Sequence, residues 1–325
     1  MTTRRRLLLS AACGLAATQA GLARAQAFPS RSLRWIVPYA AGGGSDVTAR
    51  IIAEVMKQGL GQSIVIDNRP GAGTIIGTQA MIGSPADGHT VSTADSGTLA
   101  YNPSLYEKLP YNIESSFAYI GGIGRMPLVL VTKPGLPVNS VKELIDLARR
   151  EPGKLTYATA GAGSPHHMAM EMFQQQTGTR FIGVHYKGAA PAVQDVLGGQ
   201  TDVMMLDIPG GIAHMKAGKL KLLGTAMPKR VSQLPNVPTL TQAGVPDFVA
   251  YAWQGMIAPA GTPAAAVAKL DAELQRTLKS AEVQQKLEEM GVEPMPMSAQ
   301  EFATYAQAEQ RRWAKVIKTA NIRLD

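Results

Sequence analysis

Short apolar runs that end in glycine-rich loops and lead into helical patterns constrain the fold of this chain more than any other feature. The first run, Leu33–Ala40, is rich in strand-forming residues and is broken by Gly42–Gly44. The next segment, Val47–Leu60, repeats apolar residues at helical spacing, and Gly61 ends it. Ser63–Asp67 has the pattern of a second strand. This alternation predicts parallel strands joined by helical crossovers, and therefore an α/β protein.

The alternation restarts after Pro127 and predicts a second lobe. Leu128–Thr132 is a dense apolar segment that predicts a strand, and a break rich in Pro and Gly follows it. Two long amphipathic helices are predicted near the end, at Pro263–Met290 and Ser298–Ala320. A length of 325 residues suits two domains of ordinary size. We expect residues 28–127 and 252–325 to form lobe one, residues 128–251 to form lobe two, and a ligand cleft to lie between them.

Residues 1–25 have the pattern of a secretory signal peptide. Arg4–Arg6 precede the apolar run Leu7–Ala17, and Ala23–Ala25 fits a cleavage site. The apolar run is shorter than the ~20 residues that a membrane span needs. Cleavage after Ala25 and after Ala27 are both compatible with the sequence, and so are the twin-arginine and the general secretion routes. We therefore expect a protein that is exported to the periplasm.

The cysteine and charge content exclude several classes of function. The single cysteine, Cys13, falls within the predicted signal, where a lipid anchor is the alternative to simple cleavage. The chain that follows has no thiol for catalysis, disulfides, cysteine-ligated zinc or iron–sulfur clusters. The formal net charge of +8 is raised by the arginines of the signal, so it indicates no nucleic-acid binding surface.

Motifs of enzymes and of cofactor sites are incomplete in this chain. Gly42-x-Gly44 follows a strand and Asp67 ends the next one, as in dinucleotide-binding folds, but Val47 occupies the third glycine position. The G-x-S-x-G elbow of many hydrolases does not occur. His167 and Glu171 share a helix face and suggest a metal, yet the H-E-x-x-H pattern is lacking. We predict no catalytic residue, no metal site and no cofactor.

Two glycine loops that precede helices indicate a site for a small anion. The segments YAAGGGS at Tyr39–Ser45 and YATAGAGS at Tyr157–Ser164 each join a strand to a helix, although chance also produces echoes this short. A helix N-terminus presents N–H groups and the positive end of the dipole, and glycine permits close approach. Such loops gather at the carboxyl ends of parallel strands. The only cations in the loops expected at this edge are Arg69 and Lys187, which favours a carboxylate over a nucleotide triphosphate. These loops are Gly42–Asp46, Asn68–Thr74, Asp95–Thr98, Gly161–Ser164, Tyr186–Gly188 and Asp207–Gly210.

A series of short motifs runs in fixed order along the chain. They are Pro38-Tyr39-x-x-Gly42-Gly43-x-x-Asp46-x-x-x-Arg50, Asn68-Arg69-Pro70-Gly71-Ala72-Gly73, Pro85-Ala86-Asp87-Gly88-His89-Thr90, Asn102-Pro103-x-Leu105-Tyr106, Tyr186-Lys187-Gly188, Gly199-x-x-Asp202 and Leu234-Pro235-x-Val237-Pro238-Thr239. Together they resemble the Bug-type receptors, the substrate-binding proteins of tripartite tricarboxylate transporters. The resemblance covers essentially the whole chain after the signal.

The resemblance implies a type II-like periplasmic binding protein with two lobes in a Venus-flytrap arrangement. Each lobe would be a mostly parallel sheet flanked by helices. The implied function is capture of a small carboxylate without catalysis, and its delivery to membrane transporter subunits. A sensor adaptor that docks on a signalling ectodomain is one alternative, and an exported enzyme is the other. We expect the protein to be a monomer.

Carried over residue by residue, the resemblance places ligand contacts on both lobes. In lobe one they are Tyr39, Gly42, Gly43, Gly44, Ser45, Ala72 and Thr74; in lobe two they are Thr159, Gly161, Gly163, Ser164, Tyr186, Lys187, Gly188 and Asp207. Ser164 and Asp207 each precede a proline-led helix start, so capping is the alternative role of both. Asp95–Gly97 and Pro209–Gly211 depart from the family pattern where the distal end of the ligand is expected. The sequence therefore leaves the identity of the acid open.

Overall fold

The computed structural model describes residues 28–324, so the predicted signal peptide lies outside the described residues. The first half of the described chain contains β1 (Leu33–Val37), α1 (Gly44–Leu60), β2 (Ile64–Asn68), α2 (Ile75–Ile82), β3 (Thr90–Asp95), a π-helical turn (Gly97–Tyr101), α3 (Asn102–Leu105) and the long strand β4 (Phe117–Thr132). This order confirms the predicted alternation of strand and helix.

The second half continues the alternation and then returns to the first lobe. Its elements are α4 (Val141–Arg150), β5 (Thr156–Thr159), α5 (Pro165–Thr177), β6 (Ile182–His185), α6 (Ala189–Leu197), β7 (Val203–Asp207), α7 (Ile208–Lys216), β8 (Lys221–Thr225), β9 (Tyr251–Pro259), α8 (Ala264–Leu278), α9 (Ala281–Glu289), β10 (Glu293–Pro294) and α10 (Ala299–Ala320).

Strand β4 is shared by the two lobes. The strand order is β2-β1-β3-β9-β4-β7-β5-β6, and β8 and β10 also pair with β4. Strand β1 is parallel to β2 and β3, and β5 is parallel to β6 and β7, as the crossovers predicted. Strand β9 inserts antiparallel between β3 and β4. The α/β fold with two lobes is therefore confirmed, with antiparallel strands added to the parallel part of each lobe.

The change of partners along β4 marks where the two lobes join. This strand pairs with β9 as far as Pro127, which lies opposite Tyr251, and with β7 from Leu128 onward. The change supports the expected boundaries at 127/128 and 251/252, which stay a prediction.

Two of the predicted elements have wrong boundaries. The strand predicted to begin at Leu128 begins at Phe117, because its glycines are sites of close approach and not breaks. A Cβ on Gly122 would lie 2.7 Å from the backbone oxygen of Met295. The single helix predicted at Pro263–Met290 is two helices, since the Ser280 hydroxyl accepts a hydrogen bond from a backbone N–H of α9 and starts a new helix there.

Apolar packing fills each lobe and also joins them. Phe173 and Phe248 are fully buried in a cluster of the second lobe. In the first lobe, Tyr101 of the π-helical turn meets Trp313 of α10 edge to face, with ring centroids 4.6 Å apart. A further cluster includes both Tyr39 and residues of α6, so the lobes share an apolar contact beside the cleft. Among residues 28–324, every helix is too short or too polar to cross a bilayer.

Candidate functional site

The carboxyl ends of β1 and β5 face each other across a narrow cleft. The backbone N–H of Ala40 donates to the carbonyl of Lys187 at 2.9 Å. A Cβ on Gly43 would lie 3.4 Å from the Cβ of Ala189, and a Cβ on Gly44 would overlap the Asp207 carboxylate. The two lobes therefore meet through backbone at the first glycine loop, and a side chain there would hold them apart.

Two cavities lie at this contact, and Tyr39 and Ala160 line both of them. The first, which we call the outer chamber, has a volume of about 240 Å³. The second, the inner chamber, has a volume of about 30 Å³. The predicted site residues of the outer chamber are Tyr39, Ala72, Thr74, Gly161, Ser164, Tyr186 and Lys187. Those of the inner chamber are Tyr39, Gly43, Gly44, Ser45 and Asp207.

Four predicted site residues line neither chamber. They are Gly42, Thr159, Gly163 and Gly188. These residues act on the chamber walls from outside the lining. A Cβ on Gly188 would lie 2.9 Å from the backbone nitrogen of Ala40, so this glycine permits the lobes to meet. The Thr159 hydroxyl accepts from the N–H of Gly161 at 3.1 Å and fixes the second glycine loop.

The first-lobe wall of the outer chamber is a strained loop, Gly71–Thr74. Its four residues have φ angles of 129°, 45°, 54° and 77° in sequence. Positive φ is costly for Ala72 and above all for the β-branched Thr74, and such strain is concentrated at functional sites. The Thr98 hydroxyl donates to the Thr74 hydroxyl at 2.9 Å, and Asn102 donates to the Gly73 carbonyl at 2.7 Å. These bonds hold the loop in its strained shape.

The second-lobe wall of the outer chamber is the loop Gly161–Ser164, whose polar groups form hydrogen bonds within the loop and with His167. The Ser164 hydroxyl accepts from the N–H of His167 at 3.3 Å, so the predicted cap is confirmed. The N–H of Gly163 donates to Nδ1 of His167 at 3.1 Å. Burial, with a smaller effect of His185, lowers the pKa of His167 to about 3, so the imidazole is neutral and accepts this bond. His167 is thereby used inside the loop.

The metal alternative on α5 has little geometric support. Nε2 of His167 lies 3.7 Å from Oε1 of Glu171, and this oxygen accepts a hydrogen bond from the Tyr157 hydroxyl at 2.6 Å. Within residues 28–324, groups of three or more His, Cys, Asp or Glu side chains placed to hold a metal do not occur.

The two cations that the sequence singled out have different surroundings. Lys187 is exposed and lines the outer chamber. Arg69 lies outside both linings and pairs with Asp67 at 3.0 Å. The Tyr186 hydroxyl donates to Asp195 at 2.5 Å, so its ring lines the outer chamber while its hydroxyl is held by its own lobe. The charge that faces an outer-chamber ligand is therefore mostly that of helix dipoles, with Lys187 at the edge.

Asp46 holds the first glycine loop in place through a hydrogen bond to its backbone. It forms the expected ion pair with Arg50 at 2.9 Å and also accepts from the N–H of Gly42 at 2.9 Å. The arginine and this N–H lower the pKa of Asp46, although burial opposes them with the largest single effect. The carboxylate is thus charged and fully engaged, which makes it a support of the loop.

Asp207 caps a helix and also lines the inner chamber. Its Oδ1 accepts from the N–H of Gly210 at 2.7 Å and caps α7. Its Oδ2 lies 2.8 Å from Nε2 of His166, and the carboxylate lines the inner chamber. Capping of the helix is therefore confirmed, and contact with a ligand stays a prediction.

The lining residues of the inner chamber that were not among the predicted contacts include Asp95, His166 and Gln254. Asp95 accepts from the Tyr39 hydroxyl at 2.6 Å and from the N–H of Thr98 at 2.9 Å. Burial raises the pKa of Asp95 in spite of these bonds. The unusual segment Asp95–Gly97 was the sequence signal for Asp95, and Gln254 had none.

A larger groove of about 840 Å³ lies away from the glycine loops. Arg125, Lys229, Tyr251 and Glu288 are among the residues that line it. Arg125 already pairs with Glu293 at 3.2 Å and stacks over the Tyr251 ring, so its charge is compensated. No predicted site residue lies in this groove. Its size alone does not make it the better candidate, and we take the two chambers as the site.

A fold of two lobes around a cleft that helix N-termini face defines a solute-binding protein. Residues 48–322 match the model of the tripartite tricarboxylate transporter family receptor. The chain is 34% identical to the protein BugT of Bordetella pertussis over 320 residues, which cover 97% of this chain and 98% of BugT. The chain therefore belongs to this receptor family, as its motifs indicated.

Solved structures of similar proteins include two that hold organic acids. The structure of Rpa4515 from R. palustris with adipate has a TM-score of 0.88 at 35% identity, covering 90% of this chain and 98% of that one. The structure of MatC from Rhodopseudomonas palustris with bound malate has a TM-score of 0.86 at 32% identity, covering 89% of this chain and 100% of that one.

Proposed function

We propose that this protein captures a small organic carboxylate in the periplasm and delivers it to the membrane subunits of a tripartite tricarboxylate-type transporter. The observation that carries the proposal is the outer chamber, because loops of both lobes form it. Its volume of about 240 Å³ suits an acid of a few carbons. A ligand held there touches both lobes and stabilises their contact, which is how a receptor signals that it is loaded.

The ligand-binding residues in this proposal are those that the family motifs singled out. In the outer chamber, N–H groups of the Gly71–Thr74 loop would hold the carboxylate, and the positive end of the α5 dipole would favour its charge. Lys187 adds a positive charge at the rim. Gly42, Gly163 and Gly188 act by letting the walls approach, and Thr159 by fixing the second loop. Asp207 and the inner chamber would face the distal part of the ligand.

The ligands of the similar structures support the class of ligand and leave the particular acid open. One of them holds adipate and the other holds malate, although both are about equally similar to this chain. Adipate is the longer and less polar of these acids, and malate carries a hydroxyl. Side chains at the distal end must therefore decide which acid this protein prefers.

Export to the periplasm rests on residues 1–25 and is tested separately. The intact mass of the protein from a periplasmic extract should correspond to a chain that begins at Gln26 or Phe28. A full-length chain in that extract, or a lipid adduct at Cys13, would contradict a cleaved signal.

Binding is tested by a thermal-shift screen of mono-, di- and tricarboxylic acids, followed by calorimetry of every acid that raises the melting temperature. An acid at about 100 times its dissociation constant adds roughly 2.7 kcal/mol to the free energy of unfolding. We expect at least one small carboxylate to do so. If millimolar acids leave the melting temperature unchanged, carboxylate capture is wrong. Co-purification of the acid-loaded receptor with the transporter's membrane subunits tests delivery.

A further inference from the structure

The inner chamber has room for one compact group. Its volume of about 30 Å³ exceeds the ~10–15 Å³ that one water-sized group needs by this measure, but cannot take a carbon chain. Tyr39 and Ala160 line both chambers, so the inner one is where the end of an outer-chamber ligand, or a short substituent on it, would lie.

One wall of the inner chamber offers a hydrogen-bond acceptor, the Nδ1 atom of His166. The Nε2 atom of this ring lies 2.8 Å from Oδ2 of Asp207. A carboxylate oxygen accepts this bond, so Nε2 is the donor, and in an imidazole that carries one proton Nδ1 is then an acceptor. His166 is 5% exposed, and its Nδ1 has no hydrogen-bond partner within residues 28–324. A buried acceptor in this position calls for a donor.

Gln254 on β9 offers an unpaired hydrogen-bond donor to the same chamber. Its Oε1 accepts from the Ser45 hydroxyl at 2.8 Å, which leaves the amide nitrogen as the free end. The residue is 2% exposed, and Nε2 is without a partner in the described part of the chain. The lining of the same small chamber therefore includes one unpaired acceptor and the unpaired donor of Gln254. Nε1 of Trp253 is a further unpaired donor, on a ring that packs against Phe302 and Tyr305.

Charge at the chamber argues against a second carboxylate on the ligand. Asp95 and Asp207 both line it, and its described lining contains neither Lys nor Arg. A ligand carboxylate would add a third acid at a buried place without a matching cation. An ammonium group would be attracted by the two acids, but it has only donors and therefore leaves the donor of Gln254 unpaired.

We infer that the inner chamber selects a carboxylate ligand that also carries an un-ionised group able to donate and to accept, namely a hydroxyl or a primary amide. The group donates to Nδ1 of His166 and accepts from Nε2 of Gln254. A methyl group there leaves both buried atoms unpaired, and sites built to pair with a hydroxyl reject analogues that lack it. This inference rests on the proposed function, since the carboxylate of the same ligand lies in the outer chamber.

The experiment compares acids that differ only at the end remote from the carboxylate. Calorimetry is carried out with 4-hydroxybutanoate, succinamate, succinate, 4-aminobutanoate and butanoate, and with the six-carbon acids that carry the same five end groups. We expect the hydroxyl- or amide-ended acid of at least one length to bind at least tenfold more tightly than its diacid, amine and methyl counterparts.

Two variants test whether that preference arises in the inner chamber. Gln254→Met removes the donor at nearly constant size, and His166→Phe keeps a planar ring but removes the acceptor. Both should reduce the ratio of hydroxyl-ended to methyl-ended affinity at least tenfold. Gln285→Met, on the exposed face of α9, is the matched control and should leave the ratio unchanged. Circular dichroism and melting curves show whether each variant is folded.

The outcomes separate the inference from the proposed function. If a diacid binds most tightly, or if the ratio is the same in folded Gln254→Met and His166→Phe as in the wild type, the inference is wrong while carboxylate capture stands. If none of these acids binds although another acid of the thermal-shift screen does, the inference is wrong and carboxylate capture stands; if no acid of that screen binds, both fail.

Discussion

The two glycine loops share one sequence pattern and differ in how the helix behind each of them begins. Helix α1 has Gly43 at its N-cap and no side-chain hydrogen bond to its first turn. Helix α5 is capped by the Ser164 hydroxyl, and the N–H of Gly163 is bound by His167. The first loop therefore keeps a bare backbone for contact with the other lobe, whereas the second is a self-supported wall. The first copy of the motif allows the two lobes to meet, and the second copy forms a rigid wall of the cleft.

The largest effect should come from a side chain on the bare first loop. A Cβ at position 44 would overlap a carboxylate that His166 and Gly210 hold in place, and would lie 3.0 Å from Cγ of Pro209. Gly44→Ala should therefore prevent the lobes from meeting and weaken acid binding at least about 100-fold, or ~2.7 kcal/mol. The measurement is calorimetry with the tightest acid of the screen.

Gly135→Ala is the control for this variant, because a Cβ at that glycine meets no atom within 4 Å. It should bind the acid like the wild type. Equal affinities for the two variants would show that the first loop does not need to be bare.

The second loop should respond to pH through His167. An unfolded histidine has a pKa near 6.5, whereas burial holds the pKa of folded His167 at about 3. Between these values the unfolded chain takes up a proton that the folded chain does not, so stability is complete above pH 6.5 and falls as the pH falls. We expect a loss of roughly 3 kcal/mol from pH 6.5 to pH 4, measured by urea unfolding.

His167→Gln should flatten this dependence in part. Burial also lowers the pKa of His185, so some slope will remain. The control is His214→Gln, in the last turn of α7, which should keep the wild-type slope. A wild-type stability that is constant between pH 6.5 and pH 4 would contradict a neutral, buried His167.

Ser164→Ala tests whether Ser164 contributes to acid binding as well as capping α5. Loss of the cap should cost about 1 kcal/mol of unfolding free energy. Ser280→Ala removes a comparable cap, from α9, outside both chambers. We expect both variants to lose similar stability, and only Ser164→Ala to lose acid affinity as well, by about 1 kcal/mol. If neither variant loses affinity, Ser164 acts only as a cap.

The smallest effect is expected at the rim. Lys187 is exposed, so its attraction for an anion is screened by water and salt. Lys187→Met should weaken binding about threefold at low ionic strength and less in 0.5 M salt, a difference of ~0.6 kcal/mol. Lys219→Met, exposed on the same lobe, should have no effect. A loss as large as that of Gly44→Ala would mean that charge, and not lobe contact, dominates binding.

Local features of the chain could be predicted from the sequence because they depend on neighbouring residues. The caps at Ser164 and Asp207 are each followed by a proline within the first two residues of a helix, and the pair of Asp46 and Arg50 is set by helical spacing. The break at Ser280 was missed, because the apolar stripe that continues past it favoured one helix over two.

The inner chamber could not be predicted, because it is assembled from distant segments. Asp95 comes from the end of β3, His166 from the first turn of α5 and Gln254 from β9. They meet only because β9 returns from the second lobe and inserts antiparallel beside β3, which places Gln254 opposite Asp95. No short-range pattern encodes that return, so the family motifs located the two loops and not the distal end of the ligand.

The most direct test of the account is a crystal structure of the protein with the tightest-binding acid of the screen. The account predicts the acid between the two glycine loops, with its carboxylate in the outer chamber beside Thr74 and Ser164 and the remainder directed towards Gln254. An acid bound instead in the larger groove beside Arg125 and Glu288, with both chambers free of it, would contradict the account.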